Sequence, residues 1–139
     1  MTTKDIIIRH HNRNISGRLY LPQKDKCPMV IMSHGFNGCG DDFKEYAKIL
    51  TKNEIGVLTY DFCGGSLHSK SDLSTTEMTV FTEKEDLLAV IDFVTRRDGS
   101  LVRYVFLTNH SLIPVNRLIC LIDIPADFSC FTISLFALS

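Results

Sequence analysis

The segment Ser33-His34-Gly35-Phe36-Asn37-Gly38 follows an apolar run over residues 28–32 and precedes a helix-like stretch. A strand that ends in His-Gly and breaks into a glycine-containing loop presents backbone N–H groups at the carboxyl edge of a sheet, where α/β proteins bind ligands. Such donors suit a reaction in which negative charge grows on an oxygen, and deleting one typically costs about 3 kcal/mol. The His34 side chain has a plainer reading as a buried, hydrogen-bonded core histidine, with Gly35 permitting the tight exit. A second candidate is Asp61-Phe62-Cys63-Gly64-Gly65-Ser66, where Gly64 and Gly65 are expected to supply positive φ angles for a turn. A phosphate cradle there would need Gly-x-Gly-x-x-Gly after the first strand, or Lys-Ser/Thr after the glycines, and neither is present. Cys63 has no His placed to pair with it and is expected to be an inert thiol. No Gly-x-Ser-x-Gly occurs anywhere in the chain.

The elements that must position these residues follow from periodicity. Residues 5–10 and 15–21 read as two strands separated by a polar turn, with Pro22 closing the second. Residues 28–33 and 56–60 are short apolar runs that suit strands buried on both faces. Phe43, Tyr46, Ala47 and Leu50 fall at i, i+3, i+4 and i+7, one face of a helix starting near Asp41 or Asp42. A second helix is marked by Thr82 and Glu85 as a capping box, by the stripe Leu87, Ile91 and Val94, by Arg96 and Arg97 in the last turn, and by Gly99 beyond it. A strand over residues 104–108 completes the order β-β-β-α-β-α-β. This predicts an α/β fold, a mostly parallel sheet with helices on both faces and an amino-terminal antiparallel hairpin.

Composition narrows the function classes. With 139 residues, 45% of them hydrophobic, the chain has room for one globular domain. A formal net charge of −1 without blocks of like charge excludes a nucleic-acid footprint. Five cysteines, Cys27, Cys39, Cys63, Cys120 and Cys130, contain no Cys-x-x-Cys pair, and no secretory leader precedes them. That predicts reduced thiols and a cytoplasmic location. His10 and His11, adjacent on one strand, are expected to point to opposite faces, so no metal site is expected.

The chain changes character after about residue 111. Residues 101–139 hold only Arg103, Arg117, Asp123 and Asp127 as charged groups, and the last Gly is Gly99. A packed α/β unit needs glycines at turns and charges on helix faces. Residues 118–138 are apolar, but Asp123, Pro125 and Asp127 near the centre argue against a membrane span. Residues 131–138 read instead as an aggregation-prone strand.

Taken in order, Ser33-His34-Gly35-Phe36, then Tyr60-Asp61-Phe62-Cys63-Gly64-Gly65-Ser66, then Met78-Thr79-Val80, Glu85-Asp86-Leu87 and Ile91-Asp92-Phe93-Val94 resemble the α/β-hydrolase superfamily. Within it the likeness is to small bacterial serine esterases of the cinnamoyl/feruloyl-esterase and monoacylglycerol-lipase-like group, and it covers residues 1–111. The resemblance implies hydrolysis of a small carboxylic ester through an acyl-serine, without metal or cofactor. It implies the N–H of Phe36 as an oxyanion-hole donor and Ser111 as the positional nucleophile. The family has Gly-His-Ser-x-Gly at 109–113, so Asn109 and Ile113 replace both glycines of a strained, tightly packed elbow. In the family the acid and the His follow the nucleophile, and after Ser111 this sequence has Asp123 and Asp127 but no His. The expectation is a truncated or frameshifted hydrolase, 1–111 being the amino-terminal half of an incomplete sheet and 112–139 a tail unlike the family, inactive as this chain. The alternative is a non-catalytic α/β protein that acts, if at all, by self-association through its exposed sheet.

Overall fold

The computed structural model describes residues 1–24, 27–96, 102–107, 119–120 and 135–136, with side chains described up to residue 96. Two nine-residue strands, β1 (Thr2–His10) and β2 (Arg13–Leu21), form an antiparallel hairpin paired without interruption from Thr2↔Leu21 to His10↔Arg13. β3 (Met29–Ser33) and β4 (Gly56–Tyr60) are buried at every residue, as continuous apolar runs require in a sheet covered on both sides. β5 (Val102–Leu107) completes a five-stranded sheet of order β1-β2-β4-β3-β5. β3 is parallel to β4 and to β5, while β2 is antiparallel to β1 and β4. The sheet is thus mixed, with the expected hairpin at one edge. A separate two-stranded antiparallel pair joins β6 (Ile119–Cys120) to β7 (Leu135–Phe136).

Each helix covers one face. A 3-10 turn over Gly40–Phe43 leads into α1 (Lys44–Lys52), which buries Ala47 and, with Phe43, Tyr20, Val30, Met32 and Val57, forms one core. α2 (Val80–Thr95) buries Ala89, Val90, Ile91 and Val94 against Ile8, Ile15, Leu19, Ile31 and Leu58 on the other face. Burying one such aliphatic side chain contributes about 1.5–3 kcal/mol, which makes these two interfaces the main source of stability.

Several expectations are corrected. Tyr46 is exposed, because the α1 face that meets the sheet is centred on Ala47. α2 starts one turn earlier than Thr82. Thr79 is its N-cap, accepting from the Thr82 N–H at 3.2 Å, while Thr82 Oγ1 accepts from the Thr79 N–H at 2.8 Å. Thr82 therefore completes the box that Glu85 was expected to complete, and Glu85 instead accepts from Arg13 at 2.7 Å. His10 and His11 do not diverge, since His11 has left the strand at φ 51° and the two rings lie 4.2 Å apart. Gly99 and the 109–113 elbow lie outside the described residues. Among the described residues no helix is long and apolar enough to cross a membrane, and no cluster of His, Cys, Asp and Glu could hold a metal ion.

Candidate functional site

The carboxyl ends of β3 and β4 are adjacent, with Ser33 opposite Tyr60 in register, so the loops leaving them must share one edge. Their side chains are tied first: Ser33 Oγ and the Tyr60 hydroxyl lie 2.7 Å apart, both fully buried. Burial raises the Tyr60 pKa well above its usual value, so the pair is neutral.

His34 then joins the two exits. Its Nε2 accepts the N–H of Phe62 at 2.9 Å, and its Nδ1 lies 2.8 Å from the carbonyl oxygen of Gly35. An acceptor at Nε2 leaves the proton on Nδ1, so the two contacts select one neutral tautomer. Desolvation pushes the His34 pKa down, which favours that form. Phe62 also packs edge-on against the ring at 5.0 Å. His34 is the buried core histidine that its plainer reading describes.

The loop after it is a turn in which the Gly38 N–H donates to the Gly35 oxygen at 3.1 Å, with Asn37 at φ 63°. Asn is one of the few residues with a side chain that tolerate that region. The Asn37 N–H donates to Gly65 O at 3.0 Å, so the two loops are joined a second time. Between Gly35 and Asn37 stands Phe36, its side chain 64% exposed and its N–H without an acceptor among the described residues. Phe36, to which the resemblance gives the donor role, therefore sits at the carboxyl edge of β3, on a loop held from both sides. Ser111, the other site residue expected, lies outside the described residues.

Only one of the paired glycines has the positive φ expected of both. Gly64 is at φ 71°, and a Cβ on it would meet Ser74 O at 2.4 Å. Gly65 is needed for closeness: a Cβ there would sit 2.7 Å from His34 Cε1 and 3.0 Å from Phe62 O. Cys63 is buried, and desolvation, with Asp86 beside it, pushes its thiol up to about 12. An unreactive thiol follows.

Two carboxylates to which the sequence reading gave no role brace this edge. Asp61 Oδ1 accepts the Gly40 N–H at 2.7 Å and Oδ2 the Lys70 N–H at 2.8 Å, tying the β4 exit to the start of the 3-10 turn. Asp86, fully buried on α2, accepts the Cys63 N–H at 2.8 Å and has Arg13 at 3.6 Å. A polar residue within the apolar stripe of α2 is the one sequence signal that could have marked Asp86. A cavity of about 220 Å³ lies over the β2–β4 pair, lined by Arg18, Gly40, Asp41 and Lys70 among others, and does not reach Phe36. Asp41 bridges Arg18 at 2.9 Å and Lys70 at 3.1 Å there, and Lys70 above all holds its carboxyl below the usual range.

The fold recurs in solved structures. The ferulic-acid complex of Est1E from Butyrivibrio proteoclasticus is 26% identical with a TM-score of 0.66, over 76% of this chain and 42% of that one. The chain is related to the α/β-hydrolase superfamily. The α/β hydrolase GrgF from Penicillium sp. sh18 (21% identity, TM-score 0.65) and a dienelactone hydrolase from Anabaena variabilis (16%, 0.62) share the fold over 77% of this chain. They are covered over 37% and 51% of their own lengths, so this chain spans about half or less of each of these three proteins. The described sheet is accordingly an incomplete α/β-hydrolase fold. No protein-family model and no curated protein matches the sequence.

Proposed function

We propose that residues 1–111 are the amino-terminal half of a serine-esterase-type hydrolase acting on a small carboxylic ester, and that this chain, with 112–139 as a tail unlike the family, does not complete the reaction. The observation that carries the reading is the Phe36 N–H, without an acceptor among the described residues, on a loop locked by His34–Phe62 and Asn37–Gly65. In ester cleavage Ser111 Oγ would add to the carbonyl carbon, and the oxygen that becomes negative would take the hydrogen bond of Phe36 N–H. Because His34 and Gly65 fix the loop beforehand, that donor needs no reorganisation when charge appears. The likeness to Est1E, whose structure holds ferulic acid, supports a small carboxylic ester as the substrate.

The missing part is proton transfer. A base must take the serine proton and return it to the leaving alcohol, and no His follows Ser111. Asn109 and Ile113 also stand where the elbow calls for glycine. The reaction would need no metal or cofactor, and free Cys27, Cys39 and Cys63 support a cytoplasmic location.

The test is labelling of the intact chain with a fluorophosphonate probe together with turnover of short p-nitrophenyl esters. Neither is expected above background. Turnover that disappears in Ser111→Ala would overturn the inactive reading.

A further inference from the structure

β1 is one edge of the sheet, and its free side can be worked out residue by residue. The Ser16 carbonyl accepts the Asp61 N–H at 2.9 Å and its N–H donates to Ser71 Oγ at 2.8 Å, so its backbone groups face away from β1. Asn14 does the same, exchanging bonds with Asp72. Their register partners are Ile7 and Arg9. In an antiparallel ladder, opposed residues either exchange both hydrogen bonds or neither. Ile7 and Arg9 therefore make none to β2, and their N–H and C=O groups, with those of Asp5 two residues earlier, point out of the open edge. Among the described residues nothing pairs with that edge.

The same three residues place their side chains on one face, all exposed, with Ile7 57% exposed between an acidic and a basic neighbour. Proline and a bulge, two of the usual protections of an edge, are absent from all nine residues, and the charges it does carry, Asp5 and Arg9 on this face, are of opposite sign. We propose that β1 pairs antiparallel with β1 of a second copy of this chain, about a two-fold axis through Ile7. Residue i then faces residue 14 − i of the other copy. Asp5 lies opposite Arg9 at both ends and Ile7 opposite Ile7 at the centre, while the other face aligns Ile6 with Ile8. Each of the three outward-facing pairs exchanges two backbone bonds, about six in all. The shift by one residue in either direction loses this match, because the outward amides of one strand would then meet groups already bonded to β2. The pairing is isologous, so it closes at a dimer with a continuous ten-stranded sheet and does not propagate. Asp5 already accepts from Arg18 at 2.5 Å, but it is 74% exposed and has its second oxygen to give.

Sedimentation velocity on the intact chain over a range of concentrations tests this. The wild type is expected to form a concentration-dependent dimer. Ile7→Pro removes one outward N–H and no β1–β2 bond, so it should weaken dimerisation at least tenfold with the far-UV spectrum unchanged. Arg9→Asp should do the same by setting Asp5 against Asp, and Asp5→Arg combined with Arg9→Asp should restore the dimer. A wild type that stays monomeric, or an oligomer that both single variants leave intact, overturns the proposal. If Ile7→Pro alters the spectrum, the charge swap alone decides: failure of the double variant to recover what Arg9→Asp loses counts against it.

Discussion

Protonating or truncating His34 should open the Phe62 amide. In the folded chain Nε2 of the neutral ring accepts the Phe62 N–H at 2.9 Å, in a site where His34 is only 4% exposed. His34→Ala leaves that N–H buried without its acceptor, at about 1–3 kcal/mol, while the Gly35 oxygen keeps the Gly38 N–H. That loss corresponds to a fall of about 5- to 150-fold in hydrogen-exchange protection at Phe62. The pH dependence has a definite sign. Burial lowers the His34 pKa from its ordinary value of 6.5, so the opened state binds the proton more readily than the closed one. Protection is therefore complete above about pH 6.5 and is lost as pH falls below it, by up to about 1.4 kcal/mol per pH unit. His34→Gln, which offers a donor and an acceptor but does not titrate, should flatten this dependence. Exchange measured by NMR between pH 5 and 8, corrected for the intrinsic rate, is the assay. A Phe62 amide as protected in His34→Ala as in the wild type, or equally protected at pH 5 and 8, would refute the locking role.

Four further outcomes follow from this edge and from α2. Gly65→Ala should destabilise the chain by about 1–3 kcal/mol, because its Cβ would meet His34 Cε1 at 2.7 Å; a chemical-denaturation midpoint equal to wild type would contradict this. Cys63, with its thiol pushed up to about 12, should resist maleimide at neutral pH until the chain is unfolded, whereas Cys27 and Cys39, both partly exposed, are modified in the folded state; peptide mass spectrometry reads the difference. Thr79→Ala should weaken the first turn of α2 by about 1 kcal/mol by amide exchange. Glu85→Ala, which removes only a surface pair with Arg13, should cost well under 1 kcal/mol.

The order of elements and the antiparallel hairpin were legible because strand and helix periods alternate cleanly along the first hundred residues. The loop after His34 was legible because the apolar run before His34-Gly35 must end as a strand there. What escaped was set by partners distant in sequence. Asp61 and Asp86 act through backbone N–H groups of Gly40, Lys70 and Cys63, which no local pattern reveals. Gly65 is needed for contact with His34, not for its own φ, and a pair of glycines in sequence does not separate those two requirements. The start of α2 was displaced because Thr79 and Thr82 can each begin a Thr-x-x motif, and the reciprocal bonds of the earlier pair win.

The most direct test of the central claim is a chimera in which residues 1–111, carrying Asn109→Gly, are joined to the downstream half of a structurally similar esterase such as Est1E. If residues 1–111 are a sound amino-terminal half, the chimera hydrolyses short esters and a fluorophosphonate labels Ser111, with Phe36 N–H in the oxyanion role. A folded chimera that binds ester but leaves Ser111 unlabelled would contradict it.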